Sequence, residues 1–346
     1  MASRVAAIAV GLVVGLAGCP RRQDADRSRR EHARRDAGVE EQCNPRYRNA
    51  CGDDDTLVAC NADGTFGSVV KQCENGCRRG ACAETCATQG VELVYLVDDR
   101  NHFLSFDPTA LPNGDPFHPI GTLDCEAGSG GSPFSMAVDR KGIAWVLYTS
   151  GLLYRVNIVD GHCTRPGLQP GPDAPYVFGM GFSTNGAAGG ETLYATDAVT
   201  GNMLASIDTT SVPPRWTPIA RITPGQSQNP ELTGTGDAKL FGYFPGPGRG
   251  FVQELDKASG QLLGARHELG GTGNVQAYAF AHWGGVFYVF ASDQSTSSVY
   301  SVRRKTGAFA VVRAQSPYRI VGAGVSTCAP ELERVDVLPT PATPHP

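Results

Sequence analysis

The chain has 346 residues, a net charge of −4, 18% charged residues, 43 glycines and 24 prolines. So weak and mixed a charge excludes the basic field that nucleic-acid binding requires. The glycine and proline content argues against long helices and for short strands joined by tight turns.

Residues 1–18 read as a signal peptide: one cation, Arg4, then an apolar run from Val5 to Ala17 that is too short for a permanent membrane helix. The string Leu16-Ala17-Gly18-Cys19 resembles the bacterial lipoprotein box. That resemblance implies cleavage before Cys19, lipidation of Cys19 and attachment to a membrane through the lipid. Pro20, where Asp would hold a lipoprotein at the inner membrane, points by the same resemblance to the outer membrane of a Gram-negative bacterium. Residues 19–42 then form a charged tether, with arginines from Arg21 to Arg35 interleaved with acids from Asp24 to Glu41. With almost no apolar residue to bury, this tether is expected to be flexible, its arginines suited to anionic headgroups.

Residues 43–86 hold Cys43, Cys51, Cys60, Cys73, Cys77, Cys82 and Cys86. A segment this short builds little core, and in an exported chain disulfides supply the missing stability. Thr56–Cys60 and Phe66–Val70 flank Asn61-Ala62-Asp63-Gly64-Thr65, which predicts a hairpin with an Asp-Gly turn. A zinc site on Cys73, Cys77, Cys82 and Cys86 fits an oxidising compartment poorly. Asp53-Asp54-Asp55 lacks the spaced oxygen ligands of a Ca2+ loop, although Ca2+ is the one ion to weigh in a chain otherwise expected to hold no cofactor.

Residues 91–328 carry an internal repeat of about 47 residues, within the range of propeller repeats. Each unit opens on a strand with small residues at alternate positions: Ser135–Val138, Gly179–Phe182, Gly234–Asp237, Ala277–Ala281 and Gly322–Val325. Alternation keeps one face of each strand small, as strands converging on a narrow axis require. In four units an apolar strand follows: Ile143–Tyr148, Leu193–Thr196, Leu240–Phe244 and Val286–Ala291. Third strands then run over Leu153–Asp160, Met203–Asp208, Phe251–Asp256 and Val299–Val302, the last departing from the acidic ending with Arg303-Arg304-Lys305-Thr306-Gly307. Fourth strands such as Trp216–Ile222 and Phe309–Arg313 complete the units. The remaining unit is split: Leu93–Val97, Phe103–Asp107 and Ile120–Cys125 lack a first strand, and Ile320–Thr327 supplies one from the far end. The pattern predicts an all-β, five-bladed β-propeller, closed by the C-terminal strand and preceded by the disulfide-rich module.

Ten cysteines remain beside Cys19. Cys125 and Cys163 are placed to staple neighbouring blades, and Cys86 and Cys328 to lock the closure. The other six allow fifteen pairings that sequence leaves open. Residues 329–346, with Pro330, Pro339, Pro341, Pro344 and Pro346, read as a Pro-rich disordered tail.

Taken together, several strings resemble a group of uncharacterised lipoproteins from myxobacteria and related bacteria: Pro133–Asp139, Ala144–Tyr148, Phe178–Phe182, Pro230–Asp237, Phe280–Gly285 and Val321–Pro330. The resemblance implies an outer-envelope lipoprotein and carries no activity or ligand with it.

Motifs of zinc proteases, nucleotide loops, dinucleotide folds and serine-hydrolase elbows are absent from the sequence. No catalytic residue is therefore assigned. Asp139, Glu231 and Asp237, with His282, lie near the ends of the first strands and are the residues a channel metal would use. Trp145, Trp216 and Trp283 are expected to pack between blades rather than form a sugar platform. The reading favoured by the sequence is a non-enzymatic binding scaffold whose propeller loops recognise an envelope protein or glycan. A metal-dependent, lactonase- or esterase-like hydrolase using the central channel is the first alternative, and an outer-membrane assembly scaffold the second.

Overall fold

A computed structural model describes residues 42–331, apart from 53–55, 74–76, 79, 83–85, 87–88, 112, 129, 169, 172–173, 187–189, 199–202, 226–228 and 273–274. The signal segment, Cys19, all of the tether but Gln42, Asp53-Asp54-Asp55 and residues 332–346 lie outside the described residues.

The cysteine-rich module contains β1 (Asn49–Cys51), β2 (Thr56–Cys60) and β3 (Phe66–Gln72) in one antiparallel sheet, and β4 (Cys77–Arg78) paired with β5 (Ala81–Cys82). The expected hairpin joins β2 to β3, with Gly64 at positive φ and the Asp63 carboxylate accepting from the Thr65 backbone N–H. Among the described residues of the module, Leu57, Cys73 and Cys77 form one buried cluster. Disulfides Cys43–Cys60 and Cys51–Cys77 cross the module, and Cys73 is also disulfide-bonded.

The remainder is all-β, in five four-stranded antiparallel sheets. Sheet I orders β25 (Ile320–Val325), β6 (Val94–Asp98), β7 (His102–Phe106) and β8 (Phe117–Thr122). Sheet II holds β9 (Pro133–Val138), β10 (Ile143–Tyr148), β11 (Leu153–Asn157) and β12 (Cys163–Leu168). Sheet III holds β13 (Phe178–Thr184), β14 (Glu191–Asp197), β15 (Met203–Asp208) and β16 (Arg215–Arg221). Sheet IV holds β17 (Glu231–Gly234), β18 (Leu240–Phe244), β19 (Arg249–Leu255) and β20 (Leu262–Gly270). Sheet V holds β21 (Ala277–Trp283), β22 (Val286–Ser292), β23 (Ser297–Arg303) and β24 (Phe309–Ser316).

Strand character follows sequence. The second strands β18 and β22 are buried along their whole length and, Ser292 at the end of β22 aside, apolar, as strands covered on both faces must be. Outer strands such as β8 and β16 mix polar residues and proline and are largely exposed, which blunts their free edges. Turns are pinned by carboxylates: Asp98 accepts from the N–H groups of Arg100 and His102, and Asp256 from those of Ala258 and Ser259.

Five buried clusters lie between consecutive sheets. One joins Tyr95 and Phe103 of sheet I to Met136 and Tyr148 of sheet II. The next three link II to III, III to IV and IV to V. The last packs Phe106 of sheet I against Phe290 of sheet V, ring centroids 5.2 Å apart.

First strands approach one another backbone to backbone. A Cβ on Gly234 would stand 2.1 Å from the Phe182 carbonyl oxygen, and one on Gly324 2.9 Å from the Val138 nitrogen. Glycine is therefore required where β17 meets β13 and where β25 meets β9. One expected strand is corrected. Gly234–Asp237 is not the first strand of sheet IV; β17 runs over Glu231–Gly234, and the chain turns at once through Ala238 at positive φ. The Thr235 hydroxyl bonds both the Asp237 carboxylate and the Lys239 backbone, which stabilises a turn there instead of an extended chain.

Disulfide Cys125–Cys163 joins the segment after β8 to the start of β12, and Cys86–Cys328 joins the chain before β6 to the chain after β25.

Candidate functional site

The first strands β9, β13, β17, β21 and β25 give the sheets two ends, one where these strands begin and one where they finish. The carboxylates singled out in the sequence are divided between them.

Glu231 opens β17 and is fully enclosed. Its carboxyl accepts from the Ser135 hydroxyl at 3.0 Å and from the Met180 N–H at 3.4 Å, linking β17 to β9 and β13. Burial raises its pKa well above the ordinary carboxylate value, the two hydrogen bonds offsetting this only in part.

Asp139 closes β9. It accepts from the Lys141 and Ile143 backbone N–H groups and from Trp145 Nε1 at 3.1 Å. These bonds fix the β9–β10 turn and the orientation of a buried tryptophan. Burial raises the Asp139 pKa despite them. Beside it stands Glu191 at the start of β14, unremarked in the sequence. Glu191 accepts from the Arg140 N–H at 2.7 Å and the Thr327 hydroxyl at 2.8 Å, so it binds sheets II and III to the chain leaving β25. Burial, then the charge of Asp139, pushes its pKa up to about 8.

Asp237 sits in the β17–β18 turn at the other side of the same end. The Arg304 guanidinium donates to Asp237 at 2.7 Å and to Glu331 at 3.2 Å. Burial opposes ionisation of Asp237, yet Arg304 and the Thr235 hydroxyl hold its carboxyl below the usual value. Glu331 also accepts from the Gly236 N–H, and the Pro330 carbonyl accepts from the Gly284 N–H at 2.6 Å. His282 Nδ1 lies 3.9 Å from Glu331, beyond hydrogen-bond reach, and its Nε2 is buried with no hydrogen-bond partner among the described residues. Burial, then the Arg304 charge, lowers the His282 pKa to about 3, so the imidazole is neutral at pH 7.

Next to this cluster is a cleft of about 510 Å3 between sheets IV and V. Phe241 and Leu263 give it an apolar wall, and Asp237, Lys239, Glu254, His267, Arg304 and Lys305 line its rim. Lys239 pairs with Glu254 at 3.0 Å, and Arg304 lies over the Phe241 ring, 5.0 Å from its centroid. Lys305 is exposed and has no ion-pair partner among the described residues.

Asp139, Glu231 and Asp237 are therefore not brought together. Asp139 is engaged by its own turn and Trp145, Glu231 by β9 and β13, and Asp237 by Thr235 and Arg304, and no group of three or more His, Cys, Asp or Glu side chains suited to a metal occurs among the described residues. The tryptophans are buried: Trp145 on Asp139, Trp216 against Phe178, and Trp283 donating through Nε1 to the Glu92 carbonyl. Arg304, Glu331, Glu191 and Phe241 went unassigned in the sequence. The basic run at 303–305, which breaks the acidic pattern of the third strands, was the available signal for Arg304.

No protein-family model matches the chain, and no curated protein does. Among solved structures, it is similar to a chain of the mitotic checkpoint complex at 12% identity and a TM-score of 0.36, covering 65% of this chain and 62% of that one. It is also similar to a protein of unknown function from Bacteroides caccae at 9% identity and a TM-score of 0.38, covering 79% of this chain and 95% of that one. Likeness at this level identifies neither a family nor a function. The fold class that stands is all-β, built of four-stranded antiparallel sheets with disulfides.

Proposed function

We propose that this chain is an exported, non-enzymatic binding scaffold: a five-bladed β-propeller closed by β25, carrying a small disulfide module and presenting the end at which its first strands finish to an envelope protein or glycan. Three observations support the architecture. The five sheets have four strands each, β25 pairs with β6 from the far end of the body, and each buried cluster among the described residues of the body is shared by two sheets, the last by V and I. Four disulfides with described partners fit an oxidising compartment. Lipidation at Cys19 and an outer-membrane address belong to the same proposal; Cys19→Ser is expected to release the protein from the membrane fraction, and unchanged fractionation would contradict it.

One observation carries the binding role. The carboxylates that a channel metal would need are committed to separate structural hydrogen bonds, while the cleft between sheets IV and V opens outward with mixed charge and an apolar wall. This favours recognition over the hydrolase alternative, which requires convergent ligands. A photo-cross-linking residue at Lys305 tests the assignment against one at Tyr176, which is 68% exposed just ahead of β13, at the opposite end. Capture of a reproducible partner from Lys305 and not from Tyr176 is expected. Capture only from Tyr176, or from neither, would overturn the assignment.

A further inference from the structure

The segment after β25 behaves as a ligand of the body. Ala329 is buried, the Pro330 carbonyl accepts from Gly284, and the Glu331 carboxylate takes the Gly236 N–H and the Arg304 guanidinium. These donors come from three places: the β17–β18 turn, the β21–β22 turn and the β23–β24 turn. Together they hold a short peptide segment, with one contact to its backbone and a charge-assisted pair on its carboxylate. The cleft continues beyond Glu331, lined by Phe241 and Leu263, with Lys305 exposed on its rim. One carboxylate is thus already held, and a second cation beside it has no partner among the described residues.

We propose that the cleft between sheets IV and V binds an acidic peptide segment of a partner protein, with Pro330-Glu331 of the chain itself occupying the carboxylate subsite until the partner displaces it. This rests on the scaffold reading above and names the chemistry of its partner. Arg304 holds the first carboxylate together with the Gly236 N–H, Lys305 attracts a second, and the apolar wall takes the side chain between them. A site occupied by its own chain binds an outside ligand more weakly, in proportion to the fraction of time it is open. Removing the Glu331 charge while keeping its shape should therefore expose the site.

The test is fluorescence anisotropy on the full-length chain with a dye-labelled acetyl-Ala-Pro-Glu-Leu-Glu amide as probe. Glu331→Gln is expected to bind it about tenfold more tightly than the unaltered chain. Arg304→Ala added to Glu331→Gln should abolish that gain, and the probe with Gln at both Glu positions should not bind. Lys305→Ala, at an exposed position, should weaken binding with the melting transition unchanged, so loss of fold is not mistaken for loss of the site. Equal binding by Glu331→Gln and the unaltered chain would overturn the proposal, as would equal binding of the two probes. Glutarate binding as tightly as the peptide would assign the subsite to small dicarboxylates instead. If the peptide fails while Lys305 still cross-links a partner, the acidic-peptide inference falls and the scaffold reading survives.

Discussion

The module and the sheet body solve the same problem by opposite means. Among its described residues the module buries one small cluster around Leu57, and it is crossed by disulfides within about forty residues of sequence. The body has five apolar clusters, one between each pair of consecutive sheets, and two disulfides among its strands and margins. A short segment has too much surface for its volume to build a core, so covalent bonds restrict its unfolded state; a large one is held by burial and by close approach of its backbones. The two regions should therefore fail under different insults.

Reduction is the largest separator. Without denaturant, a thiol reductant is expected to unfold the module and leave the body's sheets, which hydrogen exchange on strands β6–β25 would register. Where the module joins the body, Cys86→Ser with Cys328→Ser should cost about 5 kcal/mol, because that bond closes a loop of 242 residues. Simultaneous loss of both regions on reduction would break the contrast. Gly234→Ala is the converse insult. Its Cβ has no room against Phe182 and Ser183, so about 3 kcal/mol is expected, read as a lower urea midpoint of the body with the module's disulfides intact.

Glu231 sharpens the comparison at one residue. Glu231→Ala should cost about 2 kcal/mol by leaving the Ser135 hydroxyl and Met180 N–H without their acceptor, whereas Glu231→Gln keeps an acceptor and should cost much less. Equal losses would show that the carboxyl's charge, rather than its bonds, matters there. A pH-dependent effect concerns Glu191. Its pKa is about 8 in the folded protein against an ordinary value of 4.5, so the folded state binds the extra proton. Its contribution to stability is full below about pH 4.5 and is lost as pH rises towards 8, and Glu191→Gln should flatten the fall in melting temperature over that window. An unchanged slope would place the proton elsewhere.

Much of the body was legible because its pattern is local. Small residues at alternate positions marked first strands, and apolar runs such as Ile143–Tyr148 and Leu240–Phe244 marked second strands with matching limits. The split first unit also anticipated the pairing of β25 with β6. The register error at Gly234–Asp237 arose because a Thr-Gly-Asp turn imitates small-residue alternation, and side-chain capping decides between them only in three dimensions. The site was largely illegible. Gly236, Arg304 and Glu331 are joined across up to 95 positions of sequence, and no spacing rule links them. Asp139 and Asp237 looked like ligands because a carboxylate that caps a turn and one that binds a metal are the same residue type at the same kind of strand end.

On the proposed reading, the carboxylates in and beside the first strands are spent on structure, and the chain serves as a scaffold for recognition. The most direct test is the metal content of the folded, disulfide-bonded full-length chain after dialysis without chelator, measured by elemental mass spectrometry. No stoichiometric metal is expected, with identical content in Glu231→Gln. One metal per chain, lost in Glu231→Gln or in Asp237→Asn, would contradict it and restore the channel hydrolase.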